Sequence, residues 1–465
     1  MGIEDPDTPA TLAMRPPGRD VMGHPVGLYY IAFAEAWERF SYYGMQVLLV
    51  LYMVKQLLLP GHVDNIAGFP GFRHALESVY GPLDIQPLSS AIFGLYTSLV
   101  YLTPILGGLL ADRVMGKTRT ITIGALLMAA GHFLMAFDIS FLPALLCLVL
   151  GVGCFKGNLA SQVGDLYAPD DLRRADAFQV YFIFINAGVI LAPIVCGTLG
   201  ETVGWHWGFG AAGVGMLLGL AIYLAGRRYL PPDRIAGRRT RDAAPAPALT
   251  PRDRKAIVLL IAMIPVLAIG ALGNQQLYNA YLVWADRSYD FVVFGERIPT
   301  TWLATLDAVV SVSFLVGTVA FWRWWGTRHR SPDEITKLAI GCAISALAFV
   351  ILAVAATHAA AMGTKVSLWT ALAVHVVNSI GFANVFPVSL ALYARVAPRA
   401  LSATILGLFY LNLFLANALV GKLGGWLDVM APLAFWGLHA GLVLAAGLVF
   451  LMVKLLFGRI LTPDG

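Results

Sequence analysis

Runs of roughly twenty apolar residues recur along the whole chain, separated by short polar stretches, and each can cross a ~30 Å hydrocarbon core as a helix. Scanned with a window of about 19 residues, the chain reads as twelve spans. The first six fall at about 26–56, 88–112, 119–137, 141–164, 176–199 and 208–226. The second six fall at about 256–284, 301–324, 336–357, 367–394, 400–425 and 432–457. Between the two sets lies GRRYLPPDRIAGRRTRDAAPAPALTPRDRK, Gly226 to Lys255, rich in Pro and Arg and without an apolar period. The pattern predicts an all-α polytopic membrane protein built as a tail over 1–25, a six-helix bundle over 26–226 and a linker over 227–255. A second six-helix bundle over 256–457 and a tail over 458–465 complete it.

Composition sharpens this. Of 465 residues, 58% are hydrophobic and 13% charged, whereas soluble chains carry about 25% charged residues. That excludes a soluble enzyme, a disulfide scaffold and a disordered chain. Cys147, Cys154, Cys196 and Cys342 all lie inside apolar runs and read as free thiols. Residues 1–22 have no apolar h-region, so no cleaved signal peptide is expected.

The 32 Lys and Arg residues set the orientation. With both termini in the cytoplasm, 24 fall on the inner side and six on the outer side: Lys55, Arg73, Arg287, Arg297, Lys365 and Lys422. Arg39 and Lys156 fall in mid-span. This is the positive-inside bias of a multi-pass protein of the cell membrane. The net charge of +5 therefore marks the face against inner-leaflet lipid, not a nucleic-acid surface.

Three charges stand where charges are costly. Glu35, Glu38 and Arg39 lie in the first span, each costing about 2.5–3.5 kcal/mol at the bilayer centre. Positions 35, 38, 39, 42 and 46 form one helical stripe reading Glu, Glu, Arg, Tyr, Gln. Such a stripe faces a cavity or an interhelical salt bridge. The sequence has no Gly-Lys-Ser/Thr phosphate loop, which argues against ATP-driven transport, and no nucleophile–base set. His132, His375 and His439 read as single histidines without ligand-spaced partners, so neither a metal nor a cofactor is expected. Trp322, Trp324 and Trp325 read as an interfacial belt.

Two six-span halves joined by a basic linker resemble the major facilitator superfamily. GGLLADRVMGKTR, Gly107 to Arg119, resembles its loop motif between spans two and three, with Asp112 and Arg113 as gating candidates. More specifically, EAWERFSYYG, Glu35 to Gly44, resembles the first-span signature of the proton-dependent oligopeptide transporter family. Lys156 in GVGCFKGN fits the family's fourth-span lysine, with Gly157 where Pro is usual. FQVYFIFIN, Phe178 to Asn186, is similar to its fifth span, and Tyr101 in VYLTPILGG to its second-span tyrosine.

The resemblance implies proton-coupled uptake of di- and tripeptides by alternating access. Arg39 and Lys156 would take the peptide carboxylate. Tyr43, Tyr101 and Asn186 would hold the backbone, Tyr42, Gln275 and Gln276 are further substrate-binding candidates with Asn384 lining the cavity from span ten, and Glu35 and Glu38 would carry the coupling proton. Protonating Glu38 would release Lys156 or Arg39 to the substrate. The expected partners are a small peptide, protons and membrane lipid, and the expected state is a monomer.

The second half departs from the family pattern. Asn274 stands where an acid usually precedes Gln275, and Phe382 stands where the tenth span usually has Glu. Gln46 replaces a second Arg, and Gly94 aligns with the histidine of animal members. Asp307, where Asn is usual, reads as a binder of the ammonium or a proton, or as a buried structural Asp. Asp286 reads as an external gate or an interfacial charge. Two alternative functions remain open: transport of another small amide, carboxylate or drug-like solute with atypical coupling, and a sensor that no longer transports.

Overall fold

The computed structural model describes residues 20–168, 171–233, 249–398 and 401–461. A short hairpin, β1 (Asp20–Val21) with β2 (His24–Pro25), precedes the first helix. Seven helices come before the linker: α1 (Val26–Tyr52), α2 (Phe69–Tyr80), α3 (Ile85–Leu110), α4 (Lys117–Leu134), α5 (Phe141–Asp165), α6 (Arg173–Ala192) and α7 (Trp205–Gly226). After it come α8 (Pro251–Gly270), α9 (Leu272–Gln276) and α10 (Leu282–Ser288), then the hairpin β3 (Val292–Val293) and β4 (Glu296–Arg297). The chain ends through α11 (Trp302–Gly326), α12 (Glu334–Met362), α13 (Leu368–Val396), α14 (Ser402–Phe409), α15 (Leu411–Gly424) and α16 (Pro432–Leu461).

Among the described residues, nine helical stretches are long and apolar enough to cross a membrane. A tenth is α8 together with Leu272–Ser288, bent by 42°. The helices α1 and α4 are also of membrane length but less apolar. The first carries Glu35, Glu38 and Arg39 at mid-helix, and the second opens on Lys117 and Arg119. The helix α1 is largely buried against α6 and α7, and α4 lies against α5 and α7 with Ile123, Leu126 and Phe133 exposed. In the second half, α12 packs between α13 and α16, and α11 against α13. Two seams join the halves, α3 with α15 and α6 with α11.

The first seam is backbone on backbone. A side-chain carbon on Gly94 of α3 would lie 2.5 Å from the Gly421 Cα of α15 and 2.8 Å from the Asn417 carbonyl oxygen. Backbone cannot step aside, so no imidazole fits at this position. Overpacking a close contact costs about 1–3 kcal/mol. Gly94→Val is therefore expected to lower the thermal unfolding midpoint in detergent, and an unchanged midpoint would refute the tight seam. In the 107–108 pair only Gly107 backs onto a neighbour, the Gly153 carbonyl, while Gly108 faces open space. A small face of α7 packs on α1, with Gly215 and Gly219 receiving Phe40 and Trp37.

Three features were not legible in the apolar pattern. The stretch from 58 to 87 contains α2, tied down by an Ala67 N–H to Ile139 carbonyl bond of 3.1 Å. The seventh span breaks at Asn279 (φ −120°, ψ −111°). Its side-chain amide donates to the Val420 carbonyl at 3.1 Å and accepts from the Ser90 hydroxyl at 3.1 Å, so α15 and α3 fill the break. The last helix continues past 457 to Leu461. At the linker, Asp233 accepts from the Thr118 N–H and hydroxyl and caps the start of α4. The four cysteines are free thiols.

Candidate functional site

The polar stripe of α1 is almost wholly enclosed: Glu38 is 0%, Glu35 2% and Arg39 5% exposed. Arg39 Nε lies 2.9 Å from Glu35 Oε1 and 2.8 Å from Glu38 Oε2, so one guanidinium serves both carboxylates. Glu35 Oε2 and both Glu38 oxygens are buried without a hydrogen-bond partner, the Glu38 contact with Arg39 being an ion pair only. Buried polar atoms are nearly always satisfied, so these three oxygens are sites for a proton, water or a ligand donor.

Lys156 on α5 completes the charge balance. Two carboxylates and two cations sum to zero. Its ammonium lies 4.7 Å from the Tyr101 ring centroid and 5.9 Å from that of Tyr42. Among the described residues no carboxylate comes within ion-pair distance of it. A cation on aromatic faces is held more weakly than one on a carboxylate, which leaves Lys156 available to an incoming anion. The buried hydroxyls of Tyr42, Tyr96 and Tyr181 also lack hydrogen-bond partners. Tyr181, from the fifth-span stretch, faces Glu35.

The second half meets this cluster through tyrosines. The Tyr43 and Tyr278 rings lie 5.9 Å apart across the halves. Tyr43 feels the charges of Arg39 and Glu38 on its own helix and of Asp307 opposite. Gln275 approaches the Tyr101 hydroxyl. Asp307 is buried and is not isolated: its Oδ1 lies 3.0 Å from His375 Nδ1. His375, which reads as a lone histidine in the sequence, thus has an acid partner 68 residues away that only the fold brings near.

Other expected residues are already engaged. The Gln276 amide nitrogen is 2.9 Å from His439 Nε2. Asn384 Oδ1 accepts from the Trp322 indole at 2.7 Å and its amide donates to the Ile380 carbonyl. Trp322 is therefore a polar partner inside the second half, unlike exposed Trp324. The Asn186 amide donates to the Phe182 carbonyl of its own helix. Asp112 and Arg113 are exposed in the wide turn Ala111–Met115.

The halves are stapled at the end bearing Lys55. Asp286 Oδ1 receives Lys55 at 2.7 Å from the other half, and Arg297 and Thr300 from its own. Glu201, which sequence reasoning overlooked, accepts the Thr300 N–H at 3.0 Å and the Thr301 N–H at 2.8 Å. It also accepts the Thr301 hydroxyl at 2.7 Å. An acid in the apolar stretch TLGETVGW was the available signal. Hydrogen bonds to a charged group contribute about 1.5–3 kcal/mol. Glu201→Ala should thus speed amide exchange at Thr300 and Thr301 by about one to two orders of magnitude. Unchanged exchange there would remove Glu201 from the staple.

A helical bundle in two halves, with a neutral but ion-rich centre and a charged staple at one end, defines a membrane carrier of the major facilitator kind. The chain belongs to the POT family, whose family model matches residues 118–242 and 248–431. It is 28% identical to a peptide transporter of Yersinia enterocolitica, over 94% of this chain and 95% of that one. It is 26% identical to a di-/tripeptide transporter of Lactococcus lactis, over 93% and 95%. The crystal structure of a peptide transporter POT in complex with sulfate superposes with a TM-score of 0.82. That structure is 27% identical and covers 97% of this chain and 99% of the other.

Proposed function

We propose that the chain is a proton-coupled importer of di- and tripeptides working by alternating access. The observation that carries this reading is the pair of buried carboxylates sharing Arg39 beside Lys156. The names of the Yersinia and Lactococcus relatives support the substrate class. With Glu35 and Glu38 ionised, the four charges cancel and a peptide carboxylate finds no net attraction. Protonating Glu38 leaves one net positive charge and loosens one of the two contacts on Arg39. The substrate carboxylate then restores neutrality against Arg39 and Lys156, so the peptide and the proton bind cooperatively. Tyr42, Tyr43, Tyr101, Asn186 and Gln275 supply neutral contacts, with Gln276 and Asn384 behind them.

The Lys and Arg distribution supports cytoplasmic termini in the cell membrane, which makes the Lys55 end the outer one. Asp286 with Glu201 is then the outer gate, and Asp112 with Arg113 lies at the inner end. The chain acts as a monomer. A second substrate class, small amides or carboxylates without a free amine, is favoured by Phe382. It stacks on Phe386 at 5.6 Å where the family usually offers a Glu to the amine.

The test is uptake of labelled dialanine into proteoliposomes with and without an inward proton gradient. Gradient-dependent accumulation supports the reading. A folded protein that neither accumulates nor exchanges dialanine refutes it, and competition by N-acetylated dialanine would favour the second class.

A further inference from the structure

The second half contains a chain of hydrogen-bonding groups that the mechanism above does not use. Asp307 Oδ1 on α11 lies 3.0 Å from His375 Nδ1 on α13. His375 Nε2 lies 3.2 Å from the Tyr281 hydroxyl, which lies 3.3 Å from the Tyr289 hydroxyl. All four residues are buried, and Tyr289 is the last before the exposed loop opening at Asp290. A cavity of about 20 Å³ adjoins them, lined by Gln276, Tyr281, His375 and Asn378 among others. That is room for one water with polar partners.

We propose that Asp307 and His375 together bind a second coupling proton, delivered from the outer end through Tyr289 and Tyr281. The proposal deepens the proton-coupled reading and, for the coupling, rests on it. With Nδ1–H donating to the Asp307 carboxylate, the Nε2 lone pair faces Tyr281. A proton entering at Tyr289 lets Tyr281 give its own proton to Nε2, an N–H bond forming as an O–H bond breaks. Tyr281 is reprotonated from Tyr289, and Tyr289 by the proton entering from hydronium, which leaves water. The dyad passes from one net negative charge to none.

The groups facing it are few. Tyr278 and Tyr281 come from the broken seventh span and Tyr43 from α1, while His439 of α16 is engaged elsewhere, by Gln276 and the Phe435 carbonyl. The α12 side adjoining the cavity offers only Ala348, Phe349 and Leu352. No fixed cation adjoins the Asp307 carboxylate among the described residues, so a proton on His375 is its available counter-charge. Tyr43 stands between the dyad and the Arg39 cluster, near both Asp307 and Arg39. It thus supplies a titratable centre in the half whose usual seventh-span acid is Asn274.

The experiment counts protons on the detergent-purified full chain, without substrate. A pH indicator records proton uptake as unbuffered protein is taken from about pH 8 to about pH 5, the range in which imidazole charges. Asp307→Asn and His375→Gln should each take up about one proton fewer than wild type. Because a coupled pair titrates as a unit, the double variant should lose no more than either single. Either single variant suffices if the other fails to fold, and Asp307→Asn keeps the side-chain shape. Wild-type proton uptake in a folded variant, or additive losses, overturns the proposal. Dialanine counterflow on the same preparations separates the two readings. Lost protons without any wild-type counterflow leave the dyad standing and refute peptide transport.

Discussion

Replacing Glu38 by Gln is expected to cut gradient-driven dialanine accumulation about tenfold per pH unit of gradient, while counterflow survives. One pH unit is worth 1.36 kcal/mol, so each coupled proton supports about a tenfold concentration ratio. Gln mimics the protonated side chain at all pH values. Arg39 is then held by Glu35 alone, and the four-group centre carries one positive charge before any peptide arrives. Peptide binding should therefore lose the part of its pH dependence that Glu38 carries, whereas wild type should bind more tightly as pH falls. If the Asp307–His375 dyad couples a second proton, Glu38→Gln retains a residual gradient response. Adding His375→Gln should bring the ratio to about one. Steady-state accumulation in proteoliposomes, with binding measured across the same pH range, reads wild type and both variants. Undiminished accumulation by Glu38→Gln would remove Glu38 from the coupling path.

Much of the centre was legible in the sequence because it sits on one helix. The stripe at 35, 38, 39 and 42 is a matter of helical period, and the cost of charge in an apolar run marks it as a site. Lys156 was legible for the same reason. Its partner was not: ring contact with Tyr101 and Tyr42 depends on how α3, α1 and α5 meet. Residues whose meaning is tertiary were missed. His375 reads as a lone histidine until Asp307 is brought to it, and Glu201, overlooked in the sequence, gains a role only when Thr300 and Thr301 arrive from the other half. The break at Asn279 carries no Pro or Gly of its own. It is held by hydrogen bonds from two other helices, which no local pattern records. Gln276 and Asn384 were legible as intramembrane amides, but only the fold reveals that His439 and Trp322 already hold them.

Arg39→Ala is expected to destabilise the folded protein by about 3–5 kcal/mol, the usual cost of leaving a buried ion pair without one partner. Here the loss strands two carboxylates at once, both nearly fully enclosed and 2.8–2.9 Å from the nitrogen being removed. Lys156 is the other cation at the centre, but it stands on α5 against tyrosine rings rather than at carboxylate distance. Arg39→Lys should restore only part of the stability, because a compact ammonium on a flexible stem does not reproduce the planar fork. The decisive comparison is the double variant Arg39→Ala with Glu38→Gln. Removing one stranded charge should recover part of the loss, giving a coupling energy of about 0.5–3 kcal/mol in a double-mutant cycle. Unfolding midpoints in one detergent supply all four corners. Strict additivity would mean that the Glu38 contact to Arg39 carries no energy, and the release of Arg39 by protonation would lose its physical basis.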